Sequence, residues 1–112
     1  MKYLVMKGTD LGALEELVLL ATASISDEAY AVIIKDEIET QSGRSLNISS
    51  IHTTLHRLEE KGFLKSEMGG ATAERGGRRK RYFKPTNLGF DALREARQLR
   101  THFWNLIPQF QN

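Results

Sequence analysis

Residues 47–62, NISSIHTTLHRLEEKG, constrain the fold of this 112-residue chain more tightly than any other stretch. At about 3.6 residues per turn, Ile48, Ile51, Leu55 and Leu58 fall on one face of a helix. The opposite face collects Ser49, Ser50, Thr53, His56 and Arg57. Ser49 reads as the N-cap, and Gly62 as the residue that ends the helix after Lys61. Solvated helix faces are normally rich in Glu and Lys. A face of short, uncharged donors and acceptors instead suits close approach to another polar surface.

Charge is the second constraint. The formal net charge of +2 hides an uneven distribution. Residues 1–74 carry 7 basic and 12 acidic side chains, whereas residues 75–84, RGGRRKRYFK, carry 6 basic and none acidic. The final 28 residues hold 3 basic and 2 acidic. A chain that is acidic over most of its length has gathered its cations into ten residues. Such a cluster points to an anionic partner, most simply phosphate; a solvated basic loop is the plainer reading.

Around these two features the chain reads as one domain with a helical appendage. Residues 1–10 form an N-terminal extension. Asp10 is expected to cap a first helix over 11–23. Its apolar residues, Leu11, Leu14, Leu17, Val18, Leu19, Leu20 and Ala21, cover most of the circumference and leave Glu15 and Glu16 as a narrow wet strip. A helix so apolar must be buried on more than one side, and another subunit is the expected second surface. Ser26 is expected to cap a second helix over 27–41, with Asp27 and Glu28 in its first turn. Ala29, Val32, Ile33 and Ile38 would face inward, with Tyr30 and Ile34 at the edges. Ser42-Gly43 ends it, and a short connection leads to the helix at 47–62. Two helices joined by a tight turn, the second presenting short polar groups, form the helix-turn-helix pattern.

Residues 63–67 alternate apolar and polar as a strand does. Residues 68–77, MGGATAERGG, hold four glycines and no periodicity, so they read as a loop. Residues 79–84 return as a basic strand. Helix, strand, glycine-rich tip and basic strand make a winged helix, and the wing's cations could follow a phosphate backbone. Thr86 caps a last helix of about 20 residues, or about 30 Å. Leu88, Ala92, Ala96, Leu99, Phe103, Leu106 and Ile107 share one face of it. The small body lacks the surface to cover that stripe, so a two-fold dimer is expected, with the first helix contributing. Pro108 ends the helix. The predicted class is mainly α (α+β): a winged helix-turn-helix domain over 11–86 and a C-terminal dimerisation helix with its tail over 87–112.

The stretches LEELVLLA (14–21), EAYAVIIKDEIE (28–39), SIHTTLHRLEEKGFL (50–64) and GGRRKRYFKPTNLG (76–89) resemble the PadR family of bacterial transcriptional regulators. The likeness spans about residues 11–96, and the length resembles the short subfamily with one C-terminal dimerisation helix. The resemblance implies a homodimeric winged-helix repressor that binds a palindromic operator, often its own promoter, and frequently governs detoxification or efflux genes. It also implies recognition-helix contacts from Ser49, Ser50, His52, Thr53 and Arg57, and wing contacts from Arg78, Arg79 and Lys80. His52 stands where many members have Tyr, Ala31 replaces a frequent Gly, and Pro85 replaces a frequent Leu, which should shorten the second wing strand. Some short members bind planar drugs between aromatic side chains on the dimer helix. Here that position is Arg100, and Trp104 follows a turn later.

The expected DNA-binding set is therefore Ser49, Ser50, His52, Thr53, Arg57, Arg78, Arg79 and Lys80, with Arg81 as a further phosphate contact. The expected dimer set is Leu11, Leu14, Val18, Leu88, Ala92, Ala96, Leu99, Phe103 and Leu106. Arg57 has a local alternative, pairing with Glu59 or Glu60 on its own helix. The partners are double-stranded DNA and a second copy of the chain, with a small-molecule inducer left open; an adaptor that binds another protein through the same surface is the alternative. His52 and His56 have the i, i+4 spacing of a metal helix but no third ligand nearby, so no metal and no cofactor is expected. No nucleophile–base–orienter set can be assembled, so an enzyme is not expected. The chain has no cysteine, its longest apolar run is too short to span a bilayer, and its start lacks a signal-peptide core; cytoplasmic is the expected location.

Overall fold

The computed structural model describes residues 11–69 and 79–110. Helices α1 (Ala13–Ser24), α2 (Ala31–Ser42) and α3 (Ile48–Glu60) lead into strands β1 (Leu64–Met68) and β2 (Arg81–Pro85). The long helix α4 (Asn87–Leu106) follows, and Pro108–Phe110 close with a 3₁₀ turn. β1 and β2 pair antiparallel, with Leu64 opposite Pro85, Lys65 opposite Lys84, Ser66 opposite Phe83, Glu67 opposite Tyr82 and Met68 opposite Arg81. This is the winged helix-turn-helix architecture.

Three helices and the wing root share one core. Val18 and Leu19 of α1, Ile34 and Ile38 of α2, and Ile51, Leu55 and Leu58 of α3 meet Phe63, and none is more than 3% exposed. Burying a side chain of this size is worth about 1.5–3 kcal/mol, so this cluster dominates the stability of the domain. Leu64, Phe83 and Ala92 extend it under the sheet and the start of α4. Val18 and Ala92, expected at a dimer interface, are fully buried inside the protomer. Leu11 and Leu14, expected there too, are half-buried against the same core.

The helix starts differ from the sequence reading, each for a local reason. α1 begins after Gly12, whose N–H donates to Glu15 Oε1 at 3.0 Å; Asp10 lies outside the described residues. Glu15 is buried rather than wet. α2 begins at Ala31, four residues after the expected start, with Tyr30 as its N-cap. Glu28 is held at φ +59°, which no helix tolerates, and the Ala29 carbonyl accepts the Phe83 N–H at 2.9 Å. The segment before α2 is thus drawn onto β2, and Ser26, Asp27 and Glu28 belong to no first turn. The inward face becomes Ala31, Ile34 and Ile38, leaving Val32 exposed and Ile33 half-buried.

α3 is capped by Asn47 rather than Ser49: Asn47 Oδ1 accepts the Ser49 N–H at 2.7 Å. At its other end Gly62 adopts φ +84°. The Phe63 N–H then reaches Leu58 O and the Gly62 N–H reaches Glu59 O, the Schellman closure that only a left-handed residue permits without strain. β2 runs through Pro85 instead of stopping short of it; a proline at the end of an edge strand costs no ladder bond. Thr86 fastens α4 to the α3–β1 corner. Its Oγ1 accepts the Gly89 N–H at 3.0 Å and donates to Gly62 O at 2.6 Å. From Arg97 to Leu106 every residue of α4 is exposed.

Candidate nucleic-acid interface

The Glu39 carboxylate pins the turn that delivers α3. Gly43 closes α2 in the left-handed region, and Glu39 reaches across to accept the Leu46 N–H at 2.7 Å while holding Lys35 at 3.2 Å. The bond from Leu46, then that from Lys35, keeps the Glu39 carboxyl below the usual carboxylate range. Glu39 therefore stays charged and keeps the approach to α3 in place.

With Ile51, Thr54, Leu55 and Leu58 buried, the helical period decides what points out. Ser49, Ser50, His52, Thr53 and Arg57 are all exposed, as is His56. Ser49, Thr53, His56 and Glu60 form the central ridge at i, i+4, i+7 and i+11. His56 Nε2 lies 3.2 Å from Glu60 Oε2, and Glu59 is engaged elsewhere, accepting from Ser66 Oγ at 2.6 Å. Arg57 bridges to neither of these local carboxylates and makes no salt bridge among the described residues; its charge acts at longer range on Glu15 of α1. The His56–Glu60 contact follows from their i, i+4 spacing, which is legible in the sequence.

The wing is braced against the same helix. Ser66 Oγ, bonded to Glu59, also accepts from Arg81 Nη1 at 2.9 Å, so one hydroxyl joins α3, β1 and β2. Arg81, expected to be a further phosphate contact, is oriented by that bond. Arg79 and Lys80 are exposed just before β2, at the distal end of the β1–β2 ladder, and Lys80 Nζ lies 4.9 Å from the centroid of the Tyr30 ring. Arg78 lies outside the described residues. On the solvent face of the sheet Lys65 and Lys84 are directly opposite each other and both exposed. Like charges in that register repel. This pair, which only the strand register reveals, adds positive potential at a cost to the free protein.

Helix α4 carries the remaining features. Leu88, Leu99, Phe103 and Leu106 are 42–59% exposed, and Ala96 is half-buried beside them. Arg100, at the position where the family resemblance implies an aromatic residue, clasps Glu16 of α1 through Nη2 at 2.6 Å. That bond and the Glu16 charge raise the Arg100 pKa. A groove of about 520 Å³ along α4 is lined by Arg94, Arg97, Gln98, Thr101, His102 and Asn105, leaving Phe103 and Trp104 outside it. No helix among the described residues is long and apolar enough to cross a membrane.

Known structures share this arrangement. A PadR-like transcription factor from Bacteroides fragilis superposes with a TM-score of 0.73 at 20% identity, over 88% of this chain and 89% of that one. A PadR family transcription regulator from Clostridium difficile gives 0.67 at 23% identity, over 85% and 96%. A transcriptional regulator from Clostridium thermocellum gives 0.68 at 19%, over 88% and 93%. A comparison with curated protein sequences gives no match. At these identities the structural likeness speaks for the fold, and the family follows from the sequence itself, which matches the transcriptional regulator PadR-like family over residues 19–95, from the middle of α1 into α4. The chain therefore belongs to the PadR-like family of transcriptional regulators, DNA-binding proteins rather than enzymes.

Proposed function

We propose that this protein is a homodimeric, sequence-specific repressor acting on a palindromic operator, of its own gene or of a neighbouring transporter gene. In this reading α3 enters the major groove, where Ser49, Ser50 and Thr53 meet base edges and His52 and Arg57 reach the flanking backbone. Arg78, Arg79 and Lys80 hold phosphate and set register, which gives affinity without sequence choice. The observation that carries the reading is the outward strip of α3. Its small polar side chains are exposed, and the exposed Arg57 guanidinium forms no salt bridge among the described residues.

The dimer is supported by the exposed stripe of Leu88, Leu99, Phe103 and Leu106 on a helix whose residues are all exposed from Arg97 to Leu106. Binding two half-sites of a palindrome on one face of the duplex would require the two α3 helices to stand about 34 Å apart, one turn of duplex. A gel shift with the DNA upstream of the gene, titrated with salt, tests the whole. The expected result is binding of one dimer with a steep salt dependence. No retention of duplex in dilute salt would overturn it, and a shift seen only with an added protein would favour an adaptor.

A further inference from the structure

Tyr30 is expected from the sequence at the edge of a helix. Because the chain is extended there, with φ −117° and ψ 170°, its ring instead lies on the wing. It meets Tyr82 of β2 edge to face, with centroids 5.8 Å apart and planes at 77°. The Lys80 ammonium sits over the same ring, 4.9 Å from its centroid, within the range of cation–π attraction. Backbone bonds lock both sides of this contact. The Ala29 carbonyl accepts the Phe83 N–H at 2.9 Å, and the Lys80 carbonyl accepts the Gly69 N–H at 2.6 Å. Gly69 itself lies against Tyr82 so closely that a Cβ there would come within 1.8 Å of the ring. Tyr82 of β2 and the Lys80 ammonium thus meet the ring of Tyr30, and Gly69 backs Tyr82 from the other strand.

We propose that Tyr30 is a positioning residue for DNA binding: it holds Lys80, at the distal end of the wing ladder, in the pose that meets phosphate. This rests on the DNA reading above. A free lysine loses considerable rotamer freedom when it is fixed on a phosphate. Held over an aromatic face beforehand, Lys80 gives up less of that freedom on binding, and preorganisation of this kind strengthens association without adding a contact to the ligand. Tyr30 acts through Lys80 and need not touch DNA itself. The ring, not the hydroxyl, is the working part.

Two measurements on the full chain test this. In the free protein, the Lys80 side-chain methylene protons should be shifted upfield by the Tyr30 ring current, and the shift should vanish in Tyr30→Leu and persist in Tyr30→Phe. In duplex binding, Tyr30→Leu should weaken affinity about 3- to 10-fold while Tyr30→Phe stays within about twofold. In a Lys80→Met background, Tyr30→Leu should cost less than about twofold more, the non-additivity of residues that act together. Thermal unfolding of each variant reports whether the domain is intact. Equal losses with and without Lys80, or a Tyr30→Phe protein as weak as Tyr30→Leu, would overturn the assignment while leaving the DNA reading standing. A wild-type protein that ignores duplex overturns both.

Discussion

Glu15, near the start of α1, holds the ammonium of Lys61, the C-cap of α3, at 2.8 Å. Its neighbour Glu16 holds Arg100 of α4. Two consecutive acidic residues of one helix thus tie down the end of the candidate recognition helix and the shaft of the candidate dimerisation helix. The first helix works as a strut between the two.

The Glu15 contact makes stability depend on acid. Burial acts to raise the Glu15 pKa; the bonds from Lys61 and the Gly12 N–H, with the charges of Lys61 and Arg57, outweigh it and leave the carboxyl below its ordinary value of 4.5. A carboxyl whose pKa is lowered by folding contributes stability above that ordinary value, and the contribution disappears as pH falls through the folded pKa. Chemical denaturation at pH 7 and at pH 3 should therefore show a smaller acid loss in Glu15→Gln than in the wild type. At pH 7 the variant should be less stable by about 1 kcal/mol, a figure discounted because Lys61 is partly exposed.

Gly89 allows α4 to start where it does. A Cβ at this position would stand 2.2 Å from the Phe63 carbonyl oxygen. Helix propensity alone would make Gly89→Ala stabilising by about 1 kcal/mol. The clash is with backbone, which cannot swing aside, so the expected sign is the opposite: a loss of about 1–3 kcal/mol, read from the urea midpoint.

Much of this is legible in the chain. The period of Ile51, Leu55 and Leu58 sets both faces of α3, and Thr86 marks the start of α4, because each signal lies within a few residues of its effect. The start of α2 is not legible, because its cause lies far away: the Ala29 carbonyl is claimed by Phe83, a bond no local window contains. The same distance hides the partners of Glu15 and Glu16. Val18 and Ala92 point in sequence to another subunit because an apolar stripe shows that something covers it, not whether that something is the protomer's own core.

Lys65 and Lys84 oppose each other across the exposed face of the wing. Relief of like-charge repulsion is worth about 0.2–1 kcal/mol, so Lys65→Glu should raise the melting temperature slightly. If the pair adds to the field felt by DNA, the same variant should bind duplex more weakly at low salt and converge with the wild type at high salt. A variant less stable and unchanged in binding would show that the register does not have this cost.

The basic wing predicts a change in slope rather than in sequence preference. Replacing Arg78 and Arg79 together with alanine should weaken binding to operator and random duplex alike. The slope of log K against log salt should fall by about 0.9 for each phosphate that is no longer neutralised. A double variant with an unchanged slope would remove the wing from the interface.

Phe103 offers the sharpest test of the dimer. It is 59% exposed on the stripe shared with Leu99 and Leu106, beyond the point where α4 leaves its own core, so its replacement should not unfold the domain. Burying such a side chain between two protomers is worth about 1.5–3 kcal/mol per copy, and an aspartate placed there would be desolvated against its symmetry mate. Phe103→Asp should therefore sediment as a folded monomer, whereas the wild type is expected to sediment as the proposed dimer at the same concentration. Operator affinity should drop far more than affinity for a half-site, because only the dimer presents two α3 helices at once. A Phe103→Asp protein that stays dimeric would move the two-fold axis off this stripe.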